Sequence, residues 1–161
     1  MRNNCRKSMS KEVLFQLINR LESADALTRL DLEKEFNTRL VQNKEKSNEY
    51  FSIFYTVVKS IDGILEVEAR LPRRPDTQCA YFIILTIDPK TRISLADVCQ
   101  RFGEELYFDH STCGHVDPDF SYYYKRPKGH LIFSFNKTKP YYVTRISIDR
   151  DRYNDEHEES L

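Results

Sequence analysis

The stretches TRLDLEKEFN (28–37) and SLADVCQRFG (94–103) decide how this chain is read, because they carry the same punctuation at the same spacing. Each opens on a hydroxyl residue three positions ahead of an aspartate: Thr28 with Asp31, and Ser94 with Asp97. A helix N-terminus leaves its first amides without partners, and a hydroxyl N-cap with a carboxylate at N3 satisfies two of them reciprocally, here in the shorter Asp form. Apolar residues follow at helical spacing, Leu32 and Phe36 in the first stretch, Val98 and Phe102 in the second. Each stretch then stops on a residue that accepts left-handed backbone, Asn37 or Gly103. All five pairs stand 66 positions apart.

Working outward, the strands repeat in the same order. GILEVEA (63–69) matches GHLIFSF (129–135) at the offset of 66, so Leu65, Val67 and Ala69 align with Leu131, Phe133 and Phe135. Tyr81, Leu85 and Thr86 align with Tyr142, Ile146 and Ser147 at an offset of 61, as a shorter hairpin loop in the second half would produce. Residues 50–58, 64–70 and 80–87 are aromatic, β-branched or alternating, which predicts three antiparallel strands per unit. Leu65, Val67, Leu85, Ile87, Leu131, Phe133, Ile146 and Ile148 are expected toward the helices. Glu66, Glu68, Arg70, Ile132, Ser134, Tyr141, Val143 and Arg145 are expected on the other face. One helix with three strands cannot close a core alone, whereas two such units can.

Before the first unit, Ser10 caps a stretch in which Leu14, Phe15, Leu17, Ile18 and Leu21 recur at spacings of three and four, an additional amphipathic helix. Residues 1–9 read as a flexible N-terminus and 150–161 as a disordered, charged tail. The expectation is therefore an α+β fold over 10–149, one domain made of pseudo-repeats 28–88 and 94–149.

Composition excludes several functions. With 25 Lys and Arg against 25 Asp and Glu, the chain has no overall field for a polyanion, so nucleic acid is not the expected partner. No apolar run approaches the length that spans a bilayer, and no export signal precedes Cys5. Cys5, Cys79, Cys99 and Cys113 then read as free thiols in a reducing compartment, which predicts a cytoplasmic protein.

The sequence shows no nucleophile elbow, zinc-helix motif or phosphate loop, and no enzyme activity or cofactor is expected. The densest ligand group is DHSTCGHVDPD (109–119), where His110, Cys113 and His115 are candidate metal ligands but fall short of the four a closed zinc site needs. A small metal-dependent or cysteine-based enzyme built on this loop is the alternative function. Aromatic usage points elsewhere. Ten Tyr and ten Phe make up 12% of the chain. In SYYY (121–124) and YY (141–142) successive side chains must point to opposite faces, so some tyrosines remain outside the core. Tyr123, Tyr141, Arg145, Arg70, Glu66 and Glu68 are the candidate partner-binding residues, Tyr and Arg being the types that dominate protein interfaces.

The doubled order of capped helix (94–103), strand (129–135) and strand (141–149), with counterparts in the first half, resembles the tandem architecture of the β-lactamase inhibitory proteins. Each half resembles the small BamE-type outer-membrane lipoproteins. The resemblance covers residues 28–149 and implies a sheet that presents one surface to another protein. Those families are exported, the inhibitors with disulfides and the lipoproteins with a lipid-bearing cysteine, features not matched here. The expected function is stoichiometric binding of another protein, an immunity or inhibitor protein that covers a toxin or enzyme. A structural or homodimeric role is a further alternative.

Overall fold

In the computed structural model the described residues are 10–73, 79–103, 107–109 (backbone only) and 121–150. Helix α1 (Lys11–Ser23) begins where the Ser10 side chain accepts from the Val13 amide. Its buried stripe is Leu14, Phe15, Leu17, Ile18 and Leu21. Helices α2 (Arg29–Phe36) and α3 (Leu95–Phe102) are each eight residues long and each carry a complete capping box. Asn37 ends α2 at φ 47 and ψ 48, and Gly103 ends α3 at φ 101, where a side chain would be strained.

Eight strands form one antiparallel sheet: β1 (Val41–Gln42), β2 (Phe51–Val57), β3 (Ile64–Pro72), β4 (Phe82–Ile87), β5 (Tyr107–Asp109), β6 (Ser121–Arg126), β7 (Gly129–Phe135) and β8 (Val143–Asp149). Their spatial order is β1-β2-β3-β4-β8-β7-β6-β5. Each helix-led unit thus supplies four strands rather than the expected three. The additional ones, β1 and β5, are two and three residues long and occupy the two outer edges. The units meet where β4 pairs with β8, and there Leu85 is the partner of Ile146. These two residues are equivalent in the repeat, so a local two-fold relating the units passes between them.

One face of the sheet meets the helices. Val67, Leu85, Ile87, Leu131, Phe133, Ile146 and Ile148 are at most 1% exposed and belong to the same core as the α1 stripe. Phe102 of α3 lies 5.5 Å from Phe15, 5.3 Å from Phe133 and 5.8 Å from Tyr124, joining α1, α3 and the second unit's strands. Arg126 holds Glu22 of α1 by two hydrogen bonds, 2.9 and 2.5 Å, and Lys11 of α1 pairs with Asp97 of α3 at 2.8 Å.

Two expected faces are reversed by register shifts. Leu65 is 45% exposed while Ile64 is 1% exposed, because the β3–β4 register shifts between Ile64 and Glu66. A bulge adds one residue without changing the faces beyond it, so Ile64 takes the core position that strict alternation assigns to Leu65. Val143, expected on the outer face, is fully buried. The register shifts between Ser134 and Phe135, which pair with Arg145 and Val143, so Thr144 is the inserted residue. Arg150, placed by sequence in the tail, is 2% exposed, and its guanidinium donates to the Ala24 carbonyl.

Candidate protein-binding face

The sheet face away from the helices is the candidate site, and cross-strand register defines it. Directly opposite residues in an antiparallel sheet point to the same side, so each pairing extends a row across the strands. One row runs Val57, Glu66, Thr86, Arg145, Ser134, Ser121. The next runs Tyr55, Glu68, Ile84, Ser147, Ile132, Tyr123, and the third Ile53, Arg70, Phe82, Asp149, His130, Lys125. Five of the six expected residues therefore share one face: Glu66, Glu68 and Arg70 from β3, Arg145 from β8 and Tyr123 from β6. Tyr141 sits outside the strands, in the connection between β7 and β8, and is 37% exposed.

Among the three tyrosines of β6 the structure separates core from face. Tyr124 is 4% exposed, packs against Phe133 at 6.0 Å and donates its hydroxyl to the Gly103 carbonyl at 2.8 Å. Burial pushes its phenol well above the usual tyrosine range, with the neighbouring Cys99 thiol adding to the effect. Tyr122 meets the Phe135 ring edge-on at 5.5 Å. Tyr123, between them, turns to the open face.

Charge on this face is partly settled within it. Arg70 donates from Nε to Glu68 Oε1 at 3.2 Å, and its guanidinium lies 5.1 Å from the centre of the Phe82 ring. Among the described residues neither Glu66 nor Arg145 makes an ion pair. They flank Thr86 in one row, about 10 Å apart by two strand spacings. Ser134 and Ser147 are each only 6% exposed on this open side, their short side chains sunk among Arg145, Ile84 and Ile132.

Sequence reasoning did not single out an apolar corner on the same side. Val41 and Tyr55 are paired across β1 and β2 and are 55% and 37% exposed; Val57 is 56% exposed, and the bulged Leu65 accepts from the Val58 amide beside it. A depression of about 470 Å³ borders this corner, lined by Asn37, Thr38, Val41, Tyr55, Thr56, Val57, Lys59 and Ser60. The alternating apolar residues of β2 carried the signal, but only the short β1 and the bulge show that they stay uncovered.

Comparison with family models, with curated proteins and with solved structures returned no match. The site must be judged on its own geometry. Of the metal-loop candidates, His110, Cys113 and His115 lie outside the described residues. Among the described residues no group of three or more His, Cys, Asp or Glu is placed to hold a metal ion. No helix among them is long and apolar enough to cross a membrane.

Proposed function

We propose that this chain is a cytoplasmic, stoichiometric protein-binding module that neutralises a toxin or enzyme by covering it with the open sheet face. The observation that carries this reading is the gathering of Tyr55, Tyr123, Ile84, Ile132, Arg145 and Glu66 on one side of an eight-stranded sheet whose helices all pack on the other. Ile84 on the central β4, the charges Glu66 and Arg145 on the strands either side of it and a tyrosine toward each edge combine the apolar, Tyr and Arg side chains that recognition surfaces use. The arrangement also suits the resemblance to tandem inhibitors, with both units contributing to one surface.

Quantitative affinity capture from native lysate tests the reading, comparing the intact chain with Tyr123→Ala/Tyr141→Ala. The expected result is one protein enriched near equal stoichiometry and lost with the variant, while the variant keeps its fold by circular dichroism. Normal capture by the folded variant overturns the placement of the interface. Cys113→Ala and His115→Ala leave capture unchanged on this reading; loss of a bound metal together with capture moves the function to the 109–119 loop.

A further inference from the structure

The open face is charged in opposite senses on the two sides of β4. In one row Glu66 stands on the β3 side of Thr86 and Arg145 on the β8 side. Four residues along the strands, Arg70 stands on the β3 side of Phe82 and Asp149 on the β8 side. Opposite charges at equal distances from a line make a surface complementary to its own copy turned half a revolution about that line. Rotation about β4 lays Glu66 over Arg145 and Arg70 over Asp149, twice each, the isologous arrangement of a two-fold dimer.

We infer that a second copy of this chain docks face to face on this sheet, about a two-fold axis running along β4. Thr86, Ile84 and Phe82 then meet their own counterparts on the axis, and Tyr55 of one copy lies over Ile132 of the other. The two β4 strands then run parallel, and aligned sheets pack face to face in this way about 10 Å apart. Glu66 and Arg145 supply the contact most specific to the dimer, since neither has an ionic partner among the described residues and the Thr86 row holds them apart within one copy.

The overlap spans seven strands, about 29 Å, and three rows of side chains, about 20 Å, or on the order of 600 Å² per copy. A standard interface buries about 800 Å² per partner, so this dimer falls at the lower end of specific association and dissociates readily. The inference shares one premise with the proposed function, that the open face is a contact surface. It adds a regulation of that surface: the second copy occupies the face until a partner displaces it.

Sedimentation velocity over a concentration series tests it. Wild type shows a concentration-dependent species at twice 19.2 kDa. Glu66→Arg and Arg145→Glu each replace two opposite-charge contacts by two like-charge ones and weaken self-association by at least about a hundredfold. An equimolar mixture of the two variants restores the dimer, because one copy then carries acids at both positions and the other bases at both; so does the double variant Glu66→Arg/Arg145→Glu. This recovery separates a lost contact from a lost fold. A wild type that is monomeric throughout overturns the dimer whether or not a partner is captured. A dimer indifferent to both single variants, or one that the mixture fails to restore, overturns its placement. A mixed dimer that forms while no partner is captured upholds the inference and removes the capture reading instead.

Discussion

The bulge in β3 makes an energetic prediction that strict alternation would reverse. Ile64 is 1% exposed and Leu65 is 45% exposed, although Leu65 is the residue that aligns with the fully buried Leu131 of the second unit. Replacing either by alanine removes three carbons. For Ile64 the lost transfer energy is about 2.4 kcal/mol at ~0.8 per methylene, and the cavity left in a packed core raises the total to about 3 to 4 kcal/mol. For Leu65 roughly half of those carbons already meet water, and no closed cavity forms, so the loss is under about 1 kcal/mol. Urea denaturation with equal slopes reads the difference directly, and for a chain of this size the melting temperature falls by about 10 °C for Ile64→Ala and about 2 °C for Leu65→Ala. Equal losses, or a larger loss for Leu65→Ala, would refute the register and return Leu65 to the core. The same bulge puts Leu65 next to the apolar corner of the open face, so a harmless Leu65→Ser that weakens partner capture ties the packing result to function.

Three further outcomes follow from the same geometry. Burial pushes the Asp97 carboxyl up, but hydrogen bonds from Lys11 and from the amide and hydroxyl of Ser94 outweigh it and hold its pKa below 3.8. Its stabilisation is therefore complete above the unfolded carboxylate range and lost as pH falls through the depressed folded value. Asp97→Ala is expected to lower stability by about 1 kcal/mol near neutrality, with the gap closing as pH falls below 3.8 and through the depressed folded value, as urea titrations at several pH values will show. Tyr124→Phe removes the bond to the Gly103 carbonyl and lowers stability by about 1 kcal/mol. Because the Tyr124 pKa is raised, wild type holds that contribution below about pH 10 and loses it as pH rises further, so an ultraviolet titration shows one fewer late-titrating phenol in Tyr124→Phe than in wild type. Phe133→Ala opens a void among Phe102, Tyr124 and Ile146 and lowers stability by about 3 to 5 kcal/mol; a drop under about 1 kcal/mol would mean that the aromatic cluster repacks.

Elements with local signals were legible in the sequence. The hydroxyl–aspartate boxes at Thr28 and Ser94, the stops at Asn37 and Gly103 and the stripe of α1 depend on residues within one or two turns of each other. The lone residues of the open face were legible for the same reason, since alternation along β3 places Glu66, Glu68 and Arg70 together wherever the strand lies. What escaped depends on residues far apart. Register between β7 and β8 is set by how Val143 and Phe135 fill the core, so alternation within either strand gives no sign that Thr144 is inserted. β1 and β5 are too short for a periodicity of two to show. The join of β4 to β8 could not be distinguished from two facing sheets, because the apolar run 80–87 suits either.

Comparing equivalent positions of the two units separates scaffold from surface. At the offset of 66, Val67 corresponds to Phe133 and Ala69 to Phe135, and all four are at most 1% exposed. On the open face the same offset sets Glu66 against Ile132 and Glu68 against Ser134, and the offset of 61 sets Ile84 against Arg145. The core positions keep their apolar character while the open positions exchange charge for aliphatic or hydroxyl side chains. A face that served only to be soluble would have no need of such differences, since polar residues in either unit would suffice. The two units instead build one sheet whose open side sets Glu66 of β3 against Arg145 of β8 in one row and Arg70 of β3 against Asp149 of β8 in another. Each opposition has one member in each unit. If the open face binds a partner as proposed, it does so through both units, and a substitution that breaks the β4–β8 join, such as Ile146→Asp opposite Leu85, is expected to abolish capture by separating the two halves of the surface even where each helix keeps its caps.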